Sequence, residues 1–151
     1  MHANHSEPWK VTLVDTGEET LTAGRLKKIY PYLKEDKHFF FTYGDGLSDI
    51  NLKKLYRFHS KHGKKATMTA IKPPGRYGAI SMLNCGKVES FQEKPPGDGG
   101  YINGGFFVLS NKIFDHLKTD NLSWEGKPLL DLVELDELMA FRHEGFWCAM
   151  D

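Results

Sequence analysis

In the first half of the chain, segments with a strand-like pattern of apolar residues alternate with segments that have a helix-like pattern. Three short apolar runs, residues 10–17, 38–43 and 66–71, predict buried strands. Between them, residues 20–36 and 52–62 carry apolar side chains at the three- and four-residue spacing of amphipathic helices. Strands and helices in this alternation predict an α/β domain with a mostly parallel, doubly wound sheet.

Several residues mark the ends of the two predicted helices. We expect Thr22 to cap the first helix, and Pro31 to shorten or kink it because proline removes a helical hydrogen bond. Asp49 or Asn51 is expected to cap the second helix, and Gly63 to end it.

The second half of the chain predicts shorter elements that are joined by loops rich in glycine and proline. They are a hairpin of strands over 79–83 and 87–94, a strand over 101–110, helices over 111–117 and 128–138, and paired strands over 138–151. We therefore expect one domain over residues 1–151, with the hairpin as an insertion in the sheet.

Composition adds few constraints. The chain has 151 residues, of which 40% are hydrophobic, and its 20 basic and 20 acidic groups give no sign of nucleic-acid binding. Residues 1–75 carry 13 basic and 8 acidic groups, an excess that we attribute to solvated helix faces. Cys85 and Cys148 have no metal-like spacing and are expected to be reduced thiols in a cytoplasmic protein. No run of about 18 apolar residues predicts a membrane span.

Asp45 is the first candidate for chemistry. It lies between Gly44 and Gly46, where the predicted strand "FFFTY" ends. Ligands of open α/β sheets bind at the carboxyl ends of strands, and Mg²⁺ prefers carboxylate oxygens. A turn residue or a helix cap is the alternative interpretation, which the motif alone leaves open.

Two further motifs have a binding and a structural interpretation. Glu93 and Lys94 end a predicted strand, where they could hold a sugar hydroxyl and a phosphate, but taken alone they read as an ordinary exposed strand end. Asn103 precedes Gly104 and Gly105 inside a strand, which indicates either a close ligand or a bulge.

A cation near a helix start is the last candidate. Arg25 is expected in the first turn of the first helix, where a basic side chain opposes the helix dipole, so contact with a phosphate would explain it. An exposed arginine is the alternative. The histidines have no ligand spacing and are interpreted as structural: His59, His62, His116 and His143.

Taken in order, these segments resemble one family closely. They are "EPWKVTLVDTG", "TAGRLKK", "FFFTYGDGLSDI", "HGKKATMTA", "PPGRYGAI", "SFQEKPPGDGGYINGGFFVL" and "LMAFRHEGFWCAMD". They are similar to the sugar-phosphate nucleotidyltransferases, and within them to the glucose-1-phosphate cytidylyltransferases, over about residues 7–151. The resemblance implies a Rossmann-like nucleotide-diphospho-sugar transferase fold.

Part of the family pattern is missing from this sequence. The family begins with a strand and a "GGxGTR" loop that holds the nucleotide phosphates, then a catalytic lysine, and it continues with a helical region at the other end. None of these motifs occurs here. We therefore expect the chain to be an N-terminally truncated, partial domain that is inactive alone. Ala23 also stands where such proteins often have glycine in "TGGR".

The resemblance implies roles for individual residues. Asp45 and Asp151 would bind Mg²⁺, and Asp45 and Lys94 would act in catalysis. Substrate contacts would come from Thr20, Arg25, Gly44, Glu93, Lys94, Asn103 and Gly104.

The implied reaction joins CTP and α-D-glucose 1-phosphate into CDP-glucose with release of diphosphate, in a protein that forms homo-oligomers. Two alternatives stay open: a related nucleotidyltransferase with a different base or sugar, and a non-catalytic sugar-nucleotide-binding fragment. A metal-dependent glycosyltransferase fits poorly, because Asp45 and Asp49 are too far apart for a DxD motif.

Overall fold

The computed structural model describes residues 8–73, 79–92 and 100–150. Its elements are numbered in chain order. The strands are β1 (His38–Thr42), β2 (Gly46–Ser48), β3 (Ala66–Ile71), β4 (Ala79–Met82), β5 (Val88–Gln92), β6 (Ile102–Ser110), β7 (Leu138–His143) and β8 (Trp147–Ala149). The helices are α1 (Thr22–Lys28), α2 (Tyr30–Leu33), α3 (Leu52–His62), α4 (Lys127–Glu134) and a 3₁₀ helix, Asn111–His116. No helix among these residues is long and apolar enough to cross a membrane.

A four-stranded sheet in the order β1-β6-β3-β7 forms the centre of the fold. Strand β6 is antiparallel to both β1 and β3, whereas β7 is parallel to β3. Three of the four strands therefore run in one direction, as the α/β interpretation predicts. Because β6 lies between β1 and β3, these two parallel strands are not hydrogen-bonded to each other. Among the strands of this described sheet, only β3 and β7 form a hydrogen-bonded parallel pair.

Two small ladders lie beside this sheet. The predicted hairpin insertion is confirmed, since β4 and β5 pair antiparallel. The expected pairing of β7 with the strand that follows it is wrong, because β8 pairs with β2 instead. The reason lies in the turn between them: the carbonyl of Phe146 accepts hydrogen bonds from Ser48 Oγ, at 2.9 Å, and from Asp49 N, at 3.2 Å. These bonds direct β8 to β2.

Apolar side chains are buried on both faces of the sheet, which suits the doubly wound prediction. The larger cluster includes Leu26 of α1, Leu132 of α4, Phe107 of β6 and Trp124, all 2% exposed or less. On the other face, Leu55 of α3 packs with Ile50 and Val108. The two faces differ along β1, since Phe39 is buried while Phe40 is 50% exposed.

The strand expected over residues 10–17 is absent from the part of the chain that the structure describes. Val11 is 73% exposed and Leu13 is 92% exposed, and no described strand pairs with this segment. Apolar residues in an extended segment are buried only when neighbouring strands supply both backbone partners and a face to pack on. The local pattern alone does not provide that neighbour.

The expected helix ends are partly confirmed. The N-cap of α1 is Leu21, so Thr22 was the wrong prediction; its Oγ1 accepts a hydrogen bond from Trp124 N, at 2.8 Å, instead. The helix breaks at Ile29 and Pro31 falls in the first turn of α2, as expected from its missing N–H.

The ends of α3 were predicted more closely. Asn51 is its N-cap, with Oδ1 accepting from Lys54 N at 2.9 Å, so Asp49 is not the cap. Gly63 ends the helix at φ 68°, in the left-handed region that favours glycine. Of the two later helical segments, residues 111–117 form the 3₁₀ helix and residues 128–138 form α4 only as far as Glu134.

A histidine pair joins α3 to β3. His59 is 1% exposed, and its Nδ1 lies 2.9 Å from Thr67 Oγ1, which is also 2.7 Å from His62 Nε2. Burial, with smaller contributions from the neighbouring His38 and His62, lowers the pKa of His59 to about 4. Burial also lowers the pKa of His38 and that of His62.

The low pKa of His59 makes the stability of the fold depend on pH. A histidine with a lowered pKa in the folded state stabilises the fold fully above its unfolded pKa, and this stabilisation is lost as the pH falls through the folded pKa. We expect the free energy of unfolding to fall by on the order of 2–3 kcal/mol between pH 6.5 and pH 4 on account of His59. Denaturation in urea across this range measures it.

The variant His59→Gln, which cannot titrate, should reduce the slope of stability against pH. Leu55→Val, which removes a methyl(ene) group from the same helix face, should lower stability but keep the slope, and it serves as the control. Equal slopes in wild type and His59→Gln would contradict the assignment.

A close backbone approach makes Gly24 a sensitive position in α1. A Cβ atom there would overlap the backbone carbonyl of Asp120, which cannot rotate away. Gly24→Ala should gain about 1 kcal/mol of helix propensity but lose more, about 2–3 kcal/mol, to this overlap. Gly46→Ala is the matched control, because its Cβ would meet Phe106 Cε2 at an ordinary 3.5 Å. Equal midpoints of chemical denaturation for the two variants would contradict the prediction.

Candidate functional site

A cleft of about 800 Å³ opens where β1 ends. It lies between α1 and the turn that follows β1. Its walls carry both apolar and polar side chains. The lining residues are Thr16, Thr22, Arg25, Leu26, Ile29, Phe41, Thr42, Tyr43, Gly44, Asp45 and Glu125. Three of the residues selected from the sequence, Gly44, Asp45 and Arg25, are therefore brought together at one cleft.

Asp45 lies exposed at the turn between β1 and β2, next to the end of the described chain. Its backbone carbonyl accepts a hydrogen bond from Met150 N at 2.8 Å, which continues the ladder between β2 and β8. The residue after Met150 is Asp151, which lies outside the described residues. The approach of Asp45 and Asp151 stays a prediction.

Arg25 shapes the cleft wall through two hydrogen bonds. Its Nη1 donates to Thr16 Oγ1 at 2.7 Å and its Nη2 donates to the carbonyl of Glu18 at 2.9 Å. The expected position of Arg25 in the first turn of a helix is wrong, since α1 has only seven residues and Arg25 falls in its last turn. A cation there suits the helix dipole, so the dipole gives no argument for a phosphate.

Thr20 supports the same loop from outside the cleft lining. Its Oγ1 donates to the carbonyl of Thr16 at 2.6 Å and accepts from Lys28 Nζ at 3.0 Å. Lys28 Nζ also donates to the carbonyl of Thr16, at 2.9 Å. Gly17 makes the turn in this loop with φ 84°. Arg25 and Lys28 of α1 thus both hold this loop, but of the two only Arg25 lines the cleft, since Lys28 also pairs with Asp120 at 3.4 Å.

Tyr43 and Glu125 form a polar pair in the cleft that the sequence analysis missed. Glu125 accepts hydrogen bonds from Thr22 Oγ1, at 3.2 Å, and from Ser123 Oγ. Partial burial raises the pKa of Glu125, but hydrogen bonds from Ser123 and Tyr43 outweigh it, so the pKa lies below its usual value. Burial, and then the neighbouring carboxylate of Glu125, raise the pKa of Tyr43.

One weak signal for this pair is present in the sequence. Glu125 lies in "SWEGKP", a polar segment between two helices, 80 positions after Asp45. Such segments are common in loops, and only the packing of Trp124 under the sheet brings this one to the cleft.

Asn103 and Gly104 do not line the described cleft. Asn103 Nδ2 donates to Tyr43 Oη at 3.3 Å, so it holds a lining residue, and its Oδ1 accepts from Gly105 N at 2.9 Å. Gly104 is buried, and a Cβ there would lie 3.0 Å from Ile71 Cγ2. Because the β3–β6 register also shifts between Met68 and Ala70, the bulge interpretation explains the paired glycines without a ligand.

The remaining candidates from the sequence are three residues of the proposed site and four histidines. Glu93, Lys94 and Asp151 fall outside the described residues, so their roles stay predictions. Among the residues that are described, no group of three or more His, Cys, Asp or Glu side chains could hold a metal ion. The four histidines interpreted as structural all contact protein groups: His59 and His62 contact Thr67, His116 contacts Lys65, and His143 contacts Ser48.

A comparison with known families assigns this architecture. The profile of the nucleotidyl transferase family matches residues 3–147. The chain belongs to the nucleotidyl transferase family. This assignment agrees with the resemblance found in the sequence motifs, and it covers the cleft residues from Thr16 to Glu125.

Two curated relatives in this family share the whole chain or nearly so. Glucose-1-phosphate cytidylyltransferase of Salmonella typhimurium is 54% identical over 151 residues, which are 100% of this chain and 58% of that protein. A probable glucose-1-phosphate cytidylyltransferase of Bacillus subtilis is 45% identical over 146 residues, 96% of this chain and 56% of that protein. The chain thus spans little more than half the length of these relatives.

A solved structure supports the fold. A putative glucose-1-phosphate thymidylyltransferase from Bacillus anthracis superposes with a TM-score of 0.63 and 16% identity, over 88% of this chain and 57% of that one. At this identity the likeness concerns the fold alone.

The interaction between Tyr43 and Glu125 can be tested by titration. Tyr43→Phe removes a donor that favours the charged carboxylate, so the pKa of Glu125 should rise toward its ordinary value. Carbon-detected NMR of the Glu125 carboxyl group measures the midpoint. Tyr32→Phe, on the exposed surface of α2, is the matched control and should leave the midpoint unchanged. An unchanged midpoint in Tyr43→Phe as well would show that the pair does not exist in solution.

Proposed function

We propose that the protein carrying this chain is a glucose-1-phosphate cytidylyltransferase, which joins CTP and α-D-glucose 1-phosphate into CDP-glucose and diphosphate. The observation that carries the proposal is the 54% identity over the full chain with the Salmonella relative of that name. The cleft at the end of β1 supports it, because Asp45, Gly44 and Arg25 all line this cleft, which is large enough for a small-molecule ligand.

Mg²⁺ fits the cleft by the chemistry of its donors. The carboxylate of Asp45 is exposed at the cleft and makes no hydrogen bond or ion pair within the described ranges. Carboxylate oxygens are the donors that Mg²⁺ takes together with substrate phosphates. Asp45 and Asp151 would hold the ion, whose contribution is to neutralise phosphate charge and align the reacting oxygens.

The other residues of the cleft would position the substrates. A phosphate oxygen of glucose 1-phosphate attacks the α-phosphorus of CTP, the new P–O bond forms, and the bond to the β-phosphate breaks to release diphosphate. Such a reaction depends mainly on alignment and on stabilisation of the phosphate oxygens. Arg25 and Thr20 would contact the phosphates or nucleotide from the α1 side, and Glu93 and Lys94 would hold the sugar phosphate.

Two glycines and one asparagine complete this proposed set. At Gly44, a Cβ would meet no described atom within 4 Å, so backbone and ligand can approach closely there. Asn103 and Gly104 would act near the sugar without contacting it, Asn103 through the hydroxyl group of Tyr43 and Gly104 through its close packing against Ile71.

Asp45→Asn tests the metal proposal directly. In a protein that covers the full length of the relatives, Mg²⁺-dependent release of diphosphate should fall by about 100-fold or more, because a neutral amide is a poorer ligand and neutralises no metal charge. The matched control is Asp49→Asn. Its carboxylate pairs with His143 Nε2 at 3.0 Å rather than lining the cleft, and the variant should keep most of the activity.

Equal loss in both Asp variants would show that the effect is structural. Assays with other nucleoside triphosphates decide between the cytidine proposal and the alternative of another base. No turnover with any nucleotide and sugar phosphate would favour the non-catalytic alternative.

Lys94→Ala tests the proposed sugar-phosphate contact. The substitution should raise the KM for glucose 1-phosphate more than the KM for CTP, since the lost ammonium group would contact only the sugar phosphate. Lys87→Ala, in the turn before β5, is the control and should change neither. Equal changes in both KM values would count against the assignment of Lys94.

A further inference from the structure

A second cavity lies at the end of the sheet opposite to the cleft, where β1 begins. It has a volume of about 310 Å³ and is formed where β1 and β3 begin and β6 ends. Backbone hydrogen bonds from Asn111 N to the carbonyl of Lys37, at 3.2 Å, and from Ser110 N to that of Lys65, at 2.8 Å, fix its walls. The lining residues are Lys37, His38, His59, Ser60, Gly63, Lys64, Lys65, Ser110, Asn111, Lys112 and Glu137.

Basic side chains dominate this lining. Lys37 and Lys112 make no ion pair with any described residue, and both are exposed at the cavity. Lys64 is paired with Asp136 at 2.5 Å, and Lys65 Nζ lies 3.0 Å from His116 Nε2. The one acid in the lining, Glu137, accepts a hydrogen bond from Lys65 N at 2.9 Å. Because Asp136 neutralises Lys64, three lysines of the lining remain against one carboxylate, and they give the cavity a positive potential.

The hydrogen-bond chain behind the cavity fixes the protonation of His59 and His62. Lys64 N donates to His62 Nδ1 at 3.0 Å, so that nitrogen is unprotonated and the neutral ring carries its proton on Nε2. His62 Nε2 therefore donates to Thr67 Oγ1. The hydroxyl of Thr67 has one proton and one other partner in the described chain, His59 Nδ1, so it donates there.

The consequence is a buried donor without a partner. Since His59 Nδ1 accepts, the neutral ring carries its proton on Nε2. Within the described ranges, His59 Nε2 has no hydrogen-bond partner, although the residue is 1% exposed and lines the cavity. An unpaired buried N–H is costly, and a buried donor beside free ammonium groups suits an anion with several oxygen acceptors.

We propose that this cavity is an anion site that binds a phosphate group, in the form of orthophosphate or diphosphate, with His59 Nε2–H, Lys37 and Lys112 as its donors. The site is separate from the cleft, because His38 and Asp45 lie at opposite ends of β1. It does not depend on the proposed cytidylyltransferase activity, which uses the residues at the other end of that strand.

The first test is the tautomer of His59. Long-range ¹H–¹⁵N NMR at neutral pH should show Nε2 protonated and Nδ1 unprotonated, and addition of sodium phosphate should shift the His59 Nε2 signal in a saturable manner. The opposite tautomer, or a signal that phosphate does not shift, would overturn the proposal.

The second test measures binding of orthophosphate and of diphosphate by calorimetry in wild type and in surface variants, which keep the buried histidines. The double variant Lys37→Ala, Lys112→Ala should weaken binding by about tenfold or more, because two charge-assisted contacts are removed. Lys53→Ala and Lys61→Ala, on exposed positions of α3 outside the cavity lining, should change affinity less than twofold.

Arg25→Ala separates this site from the cleft. If the anion binds at the proposed cavity, this variant keeps the affinity of wild type. Loss of binding in Arg25→Ala but not in the Lys37 and Lys112 variant would place the anion in the cleft and overturn the proposal. The same result would leave the proposed catalytic function intact, so the two proposals can fail separately.

Discussion

The pairing of β6 with both β1 and β3 is the interaction on which the rest of the structure depends. The antiparallel ladder aligns Phe106 with Thr42 and Ser110 with His38, and so it fixes both ends of β1. The carboxyl end of β1 leads into the cleft, and the amino end leads into the basic cavity. Because a shift of one residue would turn every side chain of a strand to the other face, this register determines which residues reach either site.

Close packing beside this ladder holds the cleft in shape. The carbonyl of Gly104 accepts a hydrogen bond from Trp147 Nε1 at 2.7 Å, and Asn103 holds the hydroxyl of Tyr43. These contacts join β8 and the cleft wall to the same strand. The glycines of β6 act through backbone contacts and close packing, since the carbonyl of Gly105 accepts a hydrogen bond from Tyr43 N at 3.3 Å and a Cβ on Gly105 would meet the ring of Tyr43.

The two ends of the sheet have different electrostatics. At the cleft, the cation of Arg25 faces two acids, Asp45 and Glu125, so a bound phosphate would need an additional positive charge such as Mg²⁺. At the opposite end, the cavity lining has lysines, a buried N–H donor and one carboxylate, and a phosphate could bind there without a metal ion. Membership of the nucleotidyl transferase family underlies the function proposed for the cleft. The anion site proposed for the cavity rests instead on the hydrogen bonds of His59 and Thr67.

The sequence by itself determined the α/β class, the strand over residues 66–71, the caps Asn51 and Gly63, and the hairpin of β4 and β5. These features depend on local patterns, such as apolar runs, side-chain capping and the left-handed conformation of glycine. It also selected Asp45 and Arg25 from their local patterns and Gly44 from the resemblance to the family, and the structure brings these three residues to one cleft. Any single motif among them left the structural alternative open.

Only the tertiary structure decided which segments meet. Residues 10–17 have a strand-like pattern but are exposed, β8 pairs with β2 rather than with β7, and Glu125 reaches a cleft built mainly from residues before position 46. The donor on His59 is likewise invisible in the sequence, where its spacing suggests only a core histidine. Each of these outcomes depends on contacts between residues far apart in the chain, and local periodicity carries no information about the partner that a segment will find.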